Sequence, residues 1–198
     1  MLSSYIIDKI EQISEFTACW FYCKFAQREK NTFLAVVRAV IAQLVKKNDS
    51  LRPHIIHARS NSGSTELASQ NAAKHLAEDC IRTSKQVCLV IDGLDECGLD
   101  ERKSIISFFT GLAKTMDGTE PGCFRALFVS TDEADIRKCL TTAKIIHMRA
   151  TDNRSEMMEY SRKWSTKIQE LHQLSDAKTE TIALSVLERS AGRYIPKL

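Results

Sequence analysis

Apolar positions along the chain switch between helical and strand spacing. Leu2, Ile6, Ile10 and Ile13 recur at helical spacing, so the chain opens on an amphipathic helix. FTACWFYCKF, residues 16–25, is short and aromatic-rich and reads as a buried strand. Phe33, Val37, Val40, Ile41 and Leu44 then lie along one helical stripe, with Thr32 placed to cap it. Pro53 ends or re-aims that region, and RSNSGST, residues 59–65, is the most loop-like stretch. A helix follows over roughly 66–83. Val87 to Ile91 is a continuous apolar run of the kind that suits a strand covered on both faces. Ile105, Phe108, Phe109 and Leu112 mark a helix around 102–116, and MDGTEPG, residues 116–122, is a loop. RALFVS, residues 125–130, reads as a strand, 133–140 as a short helix, and KIIHM, residues 144–148, as a further short strand. Beyond residue 152 the pattern is helical: Met157, Tyr160, Trp164, Ile168 and Leu171 form one stripe, and a last helix runs over about 176–191.

Strands separated by helices predict a parallel α/β sheet. Residues 1–151 form the α/β core on this reading. Residues 152–198 form a helical segment, either a cap on the sheet or a separate module. There is no internal repeat.

Composition narrows the class. With 43% hydrophobic and 27% charged residues the chain has a soluble globular balance, and 7 Gly with 3 Pro exclude a collagen-like or Pro/Gly-rich disordered chain. No apolar run approaches the roughly 18 residues that cross a bilayer, so no membrane partner is expected. The opening residues carry no basic leader. A net charge of +3 is too mild to argue for nucleic acid. Of the seven cysteines, Cys19, Cys23, Cys88 and Cys139 sit in apolar segments and read as buried reduced thiols, which points to the cytoplasm. No C-x-x-C pair argues for structural zinc.

The chemistry is concentrated in VCLVIDGLDEC, residues 87–97. An apolar strand ends in Asp92, and Asp95 and Glu96 follow three and four residues later. Ligands of open parallel sheets bind at the carboxyl ends of strands. An acid there can hold a hydrated Mg²⁺, and a second acid one short turn away can orient or deprotonate a water. That is the layout of a Walker B segment. Asp-Gly after an apolar run is also a common turn signal, and three acids in a loop are often only solvated. A haloacid-dehalogenase nucleophile motif needs its second Asp two residues on, and here it is three.

LVIDGLDEC resembles the Walker B segment of NACHT domains, STAND-class P-loop NTPases, and specifically of the nephrocystin 3-like N-terminal type abundant in filamentous fungi. The likeness covers nearly the whole chain. MLSSYIIDKI resembles the helix that follows the P-loop in that family, and ACWFYCKF its second strand. FLAVVRAVIAQLVKKNDSL resembles its helix ending in a Gln-Leu pair. FRALFVSTDEADIRKCL resembles the strand, sensor segment and short helix after Walker B, and LERSAGRYIPKL its Gly-aromatic segment. The resemblance implies a three-layer P-loop NTPase-like fold and a nucleotide-dependent signalling switch using Mg²⁺ and ATP or GTP. It implies Asp92 as the Mg²⁺ acid, Asp95 or Glu96 as the water-positioning acid, and Ser130 on the cofactor rim. The implied partners are other NACHT-type chains or flanking effector and repeat domains.

Three departures qualify that expectation. No G-x-x-x-x-G-K-[ST] string occurs, and Met1 falls where that loop would just have ended, so the expected protein is a fragment lacking the P-loop and the central strand before it. The family's sensor Arg is replaced by Thr131. Pro196 stands in the Gly-aromatic segment, where it should stop a helix. Together these predict a chain that binds nucleotide weakly or not at all and does not hydrolyse it. The alternative is a non-catalytic interaction scaffold derived from a NACHT domain.

Other candidate residues carry less. His54 and His57 form an H-x-x-H pair without further ligands at telling spacing. Lys46 and Lys47 complement the end of a helix dipole. Arg125 and Arg137 read as surface cations, and Trp20 and Trp164 as core residues. No G-x-S-x-G nucleophile motif is present.

Overall fold

Three parallel strands organise the first part of the chain: β1 (Thr17–Tyr22), β2 (Val87–Asp92) and β3 (Phe124–Val129), in spatial order β1-β2-β3. The computed structural model describes residues 2–13, 15–62, 67–149, 152 and 154–190. Two compact units divide it, Met1–Thr142 and Ala143–Leu198.

The middle strand is the continuous apolar run. Register aligns Tyr22 with Asp92 and Asp92 with Val129. Successive strand residues face opposite sides, so Val87, Leu89 and Ile91 enter the main core while Val90 and Asp92 face the other side. The main core lies under three helices: α2 (Phe33–Lys47), α4 (Gln70–Thr83) and α5 (Leu99–Asp117). Phe33, Phe109, Leu44, Leu89 and Ile91 are fully buried there. The opposite face carries α1 (Leu2–Glu11), whose Ile7 is buried together with Ala18 and Val90.

Local signals explain most boundaries. Thr32 Oγ1 accepts from Ala35 N at 3.2 Å and starts α2. Ser69 Oγ accepts from Ala72 N at 3.4 Å and starts α4. The stretch expected to be a loop, residues 59–65, is helical as far as Ser62. α3 (Arg52–Ser62) is a helix through it, entered from a 3₁₀ turn at Asp49–Leu51 whose Leu51 is fully buried. Pro53 sits in the first helical turn, where its fixed φ suits a helix and its missing amide costs nothing. Residues 63–66, the end of the expected loop and the first residue of the expected helix, lie outside the described residues.

The two sheet edges differ. Along β1, α2 supplies side-chain partners: Gln43 accepts from Trp20 N at 3.0 Å and donates to Trp20 O at 2.8 Å, and Lys47 donates to Ala18 O at 2.9 Å. Those bonds satisfy an edge that would otherwise be a template for pairing. β3 pairs with β2 alone among the described residues, and Ala126, Leu127, Phe128 and Val129 stay half-buried.

A short helix, α6 (Ala134–Cys139), ends the first unit. In the second unit the expected strand at Lys144–Met148 is not formed. Ile145, Ile146 and Met148 are exposed, and no ladder runs through the segment. β-branched residues without a partner strand leave their backbone groups to water, and extended propensity alone does not make a strand. α7 (Arg154–His172) and α8 (Asp176–Ser190) form a helical hairpin. Among its described side chains Ser161, Ser165, Ala183 and Leu187 are buried, while Leu171, expected on the apolar stripe, is exposed, and Met157 of that stripe lies outside the described side chains.

The cysteines also depart from expectation. Cys19 and Cys23 are buried, but Cys88 and Cys139 are only half-buried, and Cys80, Cys97 and Cys123 are the other buried thiols. Burial pushes Cys19 up to about 12 and Cys80 to about 11. Trp20 is half-buried beneath the Lys47 ammonium, 5.0 Å above its ring.

Candidate functional site

The acid-rich segment leaves β2 through Gly93, whose φ of +73° is a left-handed conformation natural to glycine. A Cβ at this position would meet Cys23 O at 3.2 Å and Glu96 Oε1 at 3.3 Å. The turn therefore needs glycine twice over, for its dihedral and for its close approach to β1. Leu94, fully buried, plugs the core and pins the 3₁₀ turn Leu94–Glu96. Gly98 then leads into α5.

This geometry sends the three carboxylates to different places. Asp92 ends the central strand on the α1 side of the sheet, in register with Tyr22 and Val129. Its carboxylate makes no hydrogen bond or ion pair among the described residues. Tyr22 OH lies 3.2 Å from Ser4 Oγ in the first turn of α1, so that turn reaches the same rim. Asp95 turns toward the exit of β3: its Oδ2 accepts from Thr131 Oγ1 at 2.9 Å and its Oδ1 from Thr131 N at 3.2 Å. Glu96 turns toward the exit of β1, where its Oε2 accepts from Phe25 N at 2.8 Å. Ser130 follows β3 directly, one position beyond the Asp92–Val129 pair, and its hydroxyl donates to Thr131 O at 2.9 Å. Asp92 and Ser130 thus share one rim.

A residue the sequence reading did not single out holds the segment in place. Arg102, in the first turns of α5, donates through Nε to Cys97 O at 2.8 Å and through Nη2 to Asp95 O, and its Nη1 pairs with Asp135 of α6 at 3.3 Å. One guanidinium therefore fixes both ends of the acidic turn and ties them to α6. The planar fork of arginine suits this task, and a point-charge lysine does not. Its only sequence signal is a cation at the start of the helix after the acids.

Cys23, just beyond β1, and Cys97, just beyond the acidic turn, are both buried. The Cys97 thiol, together with burial, pushes the Cys23 thiol up, while the Cys23 thiol, together with the Arg102 charge, pulls Cys97 down.

The H-x-x-H pair lies on α3 beside an open cleft of about 550 Å³, which His75 and Asp79 of α4 also line. No group of three or more potential ligands among the described residues is arranged to hold a metal ion. Arg125 stacks on Phe16, with 5.4 Å to the ring centroid, and Arg137 pairs with Asp132 at 3.0 Å. No helix among the described residues is long and apolar enough to cross a membrane.

The fold is thus of the α/β class, a small parallel sheet with helices packed on it. The family model for the N-terminal region of nephrocystin 3 matches residues 1–131, and the chain belongs to that family. No curated protein and no solved structure matches it.

Proposed function

We propose that this chain is the nucleotide-responsive core of a NACHT-type signalling protein of the cytoplasm, and that it does not hydrolyse nucleotide by itself. The observation that carries the reading is Asp92: an acid at the end of the central strand, without a hydrogen bond or ion pair to its carboxylate among the described residues, on the same rim as Ser130. Oxygen donors of this kind fit a hydrated Mg²⁺, which prefers a few carboxylate or hydroxyl ligands together with phosphate and water. Asp92 would hold the ion and Ser130 would face the phosphates of ATP or GTP. Mg²⁺ would supply charge neutralisation between those phosphates. Three parallel strands with helices on both faces are compatible with a P-loop NTPase-like sheet.

Silence in hydrolysis rests on the other two acids. Asp95 is turned toward Thr131 and Glu96 toward the backbone of Phe25, so both carboxylates are engaged in bracing strand ends. A neutral Thr131 also supplies no cation for a terminal phosphate. The same three bonds favour a second reading, a non-catalytic scaffold that pairs with other NACHT-type chains or with flanking effector and repeat domains.

Titrating the chain with Mg·ATP and Mg·GTP separates the two. The first reading expects weak binding that Asp92→Asn abolishes, and phosphate release no faster than in that variant. Binding indifferent to Asp92→Asn, or turnover above that control, would overturn it. Adding a family P-loop and its strand ahead of Met1 should strengthen binding on the first reading, whereas no binding in either form supports the scaffold.

A further inference from the structure

We propose that Ser130 is a phosphoacceptor for an acid-directed serine/threonine kinase, and that phosphate there works against the brace between the exits of β2 and β3. Ser130 begins an exposed, irregular stretch, 130–133, between β3 and α6. Its hydroxyl bonds only the neighbouring Thr131 carbonyl among the described residues, at 2.9 Å. A kinase takes its acceptor in extended form, and a surface stretch outside helix and sheet is lifted into that form at little cost.

Acids follow the hydroxyl: Asp132 two residues on, Glu133 three and Asp135 five. Such a run suits a kinase whose substrate groove is lined with cations. Glu133 is exposed and makes no side-chain bond at the start of α6, so its carboxylate is available to that groove. Asp132 stays more than half exposed in its pair with Arg137. Other hydroxyls compete poorly. Of the chain's serines and threonines, only Ser130 and Ser185 have an acid three residues on, and Ser185 lies inside α8, where the backbone is not extended. Thr131 has Ala134 at that position, and its hydroxyl is held by Asp95 at 2.9 Å.

In the transfer, the Ser130 hydroxyl gives its proton to the kinase's catalytic carboxylate while Oγ attacks the γ-phosphorus of the ATP held by the kinase. The Oγ–P bond forms, the bond from that phosphorus to the β–γ bridging oxygen breaks, and ADP leaves. The product carries about −1.5 to −2 charges at pH 7. It stands next to Thr131, which holds the Asp95 carboxylate through its amide and hydroxyl. The guanidinium groups bonded to this region are already engaged, Arg102 with Asp135 and Arg137 with Asp132. Like-charge repulsion therefore opposes the bonds that tie Asp95 to the exit of β3. A phosphate on this rim would also turn nucleotide away from Asp92, an effect that rests on the function proposed above.

The experiment incubates the folded chain with Mg·ATP and casein kinase II and follows intact mass. One phosphate per chain is expected. Ser130 and Thr131 share the tryptic peptide 126–137, and its fragmentation should place the group on Ser130. Ser130→Ala should remove the product. Glu133→Gln should slow its formation by about tenfold or more, the effect of losing one charged contact to the kinase. Mapping on the wild-type chain holds whether or not a variant folds. The phosphorylated chain should melt about 2–4 °C below the unmodified chain, and Asp95→Asn should narrow that gap by removing the opposed charge. None of these readouts depends on the chain itself binding nucleotide. No incorporation, incorporation at another residue, or a modified chain that melts with the unmodified one would each overturn the inference.

Discussion

Thr131 binds Asp95 through both its hydroxyl, at 2.9 Å, and its backbone amide, at 3.2 Å, so one carboxylate joins the exit of β2 to the exit of β3. An acid expected to face water or substrate is instead a brace between two strand ends. Thr131→Val keeps the amide bond and loses the hydroxyl, and should cost about 0.5–1.5 kcal/mol in urea unfolding. Asp95→Asn should cost more, because both donors face a weaker acceptor. The two changes together should cost less than their sum, since they remove one shared contact. Additive losses would show that Thr131 and Asp95 act separately.

Gly93→Ala should be among the more damaging small substitutions. It forces a Cβ onto a φ of +73° and to 3.2 Å from the backbone oxygen of Cys23. A loss of about 1–3 kcal/mol is expected. Gly98→Ala, which meets nothing within 4 Å, is the matched control and should cost less than half as much.

Arg102→Met leaves the carbonyls of Asp95 and Cys97 and the Asp135 carboxylate without their donor, in a site where the arginine side chain is only 13% exposed. About 2–4 kcal/mol should be lost. Arg102→Lys should recover little, because one ammonium cannot serve three acceptors set around a planar fork. Full recovery by lysine would mean that charge alone matters.

Stability should fall in alkali. Cys19 and Cys80 titrate near 12 and 11 in the folded chain because burial disfavours their thiolates, against about 9 when unfolded. Above pH 9 the unfolded chain therefore binds fewer protons than the folded one. Stability supplied by these thiols is whole below pH 9 and is lost as pH rises toward 11 and 12. The slope is up to about 1.4 kcal/mol per pH unit for each thiol. Replacing both by Ala should flatten this decline while lowering stability at pH 7. An equally steep decline in the double variant would assign it to other groups.

The outer edge of β3 should govern solubility. β1 has Gln43 and Lys47 against its edge, whereas β3 has only β2 among the described residues, and its apolar side chains are half-buried. An edge of this kind recruits other strands. The chain should be marginal, aggregation-prone or dependent on a partner, and Leu127→Lys should raise the concentration at which it stays monodisperse. A monodisperse wild-type chain melting cooperatively above about 65 °C would contradict this.

The α/β class, the strand at 87–92 and the helices at 33–47 and 99–117 were legible along the chain because each carries a repeating apolar pattern that one local geometry satisfies. The placement of Asp92 at a strand end followed from the same logic. α3 was not legible, since RPHIIHARSNS has a weak apolar stripe and the helix is held by the turn before it and by α4 beside it. The segment 144–148 has strand propensity but no ladder, because a strand exists only with a neighbour to accept and donate its backbone bonds. The site divides in the same way. Sequence order placed three acids within five residues, but spacing along a turn does not say which way a carboxylate points. That direction depends on Thr131 and Phe25, and on Gly93 lying against Cys23, contacts between segments remote in sequence that only the tertiary fold brings together.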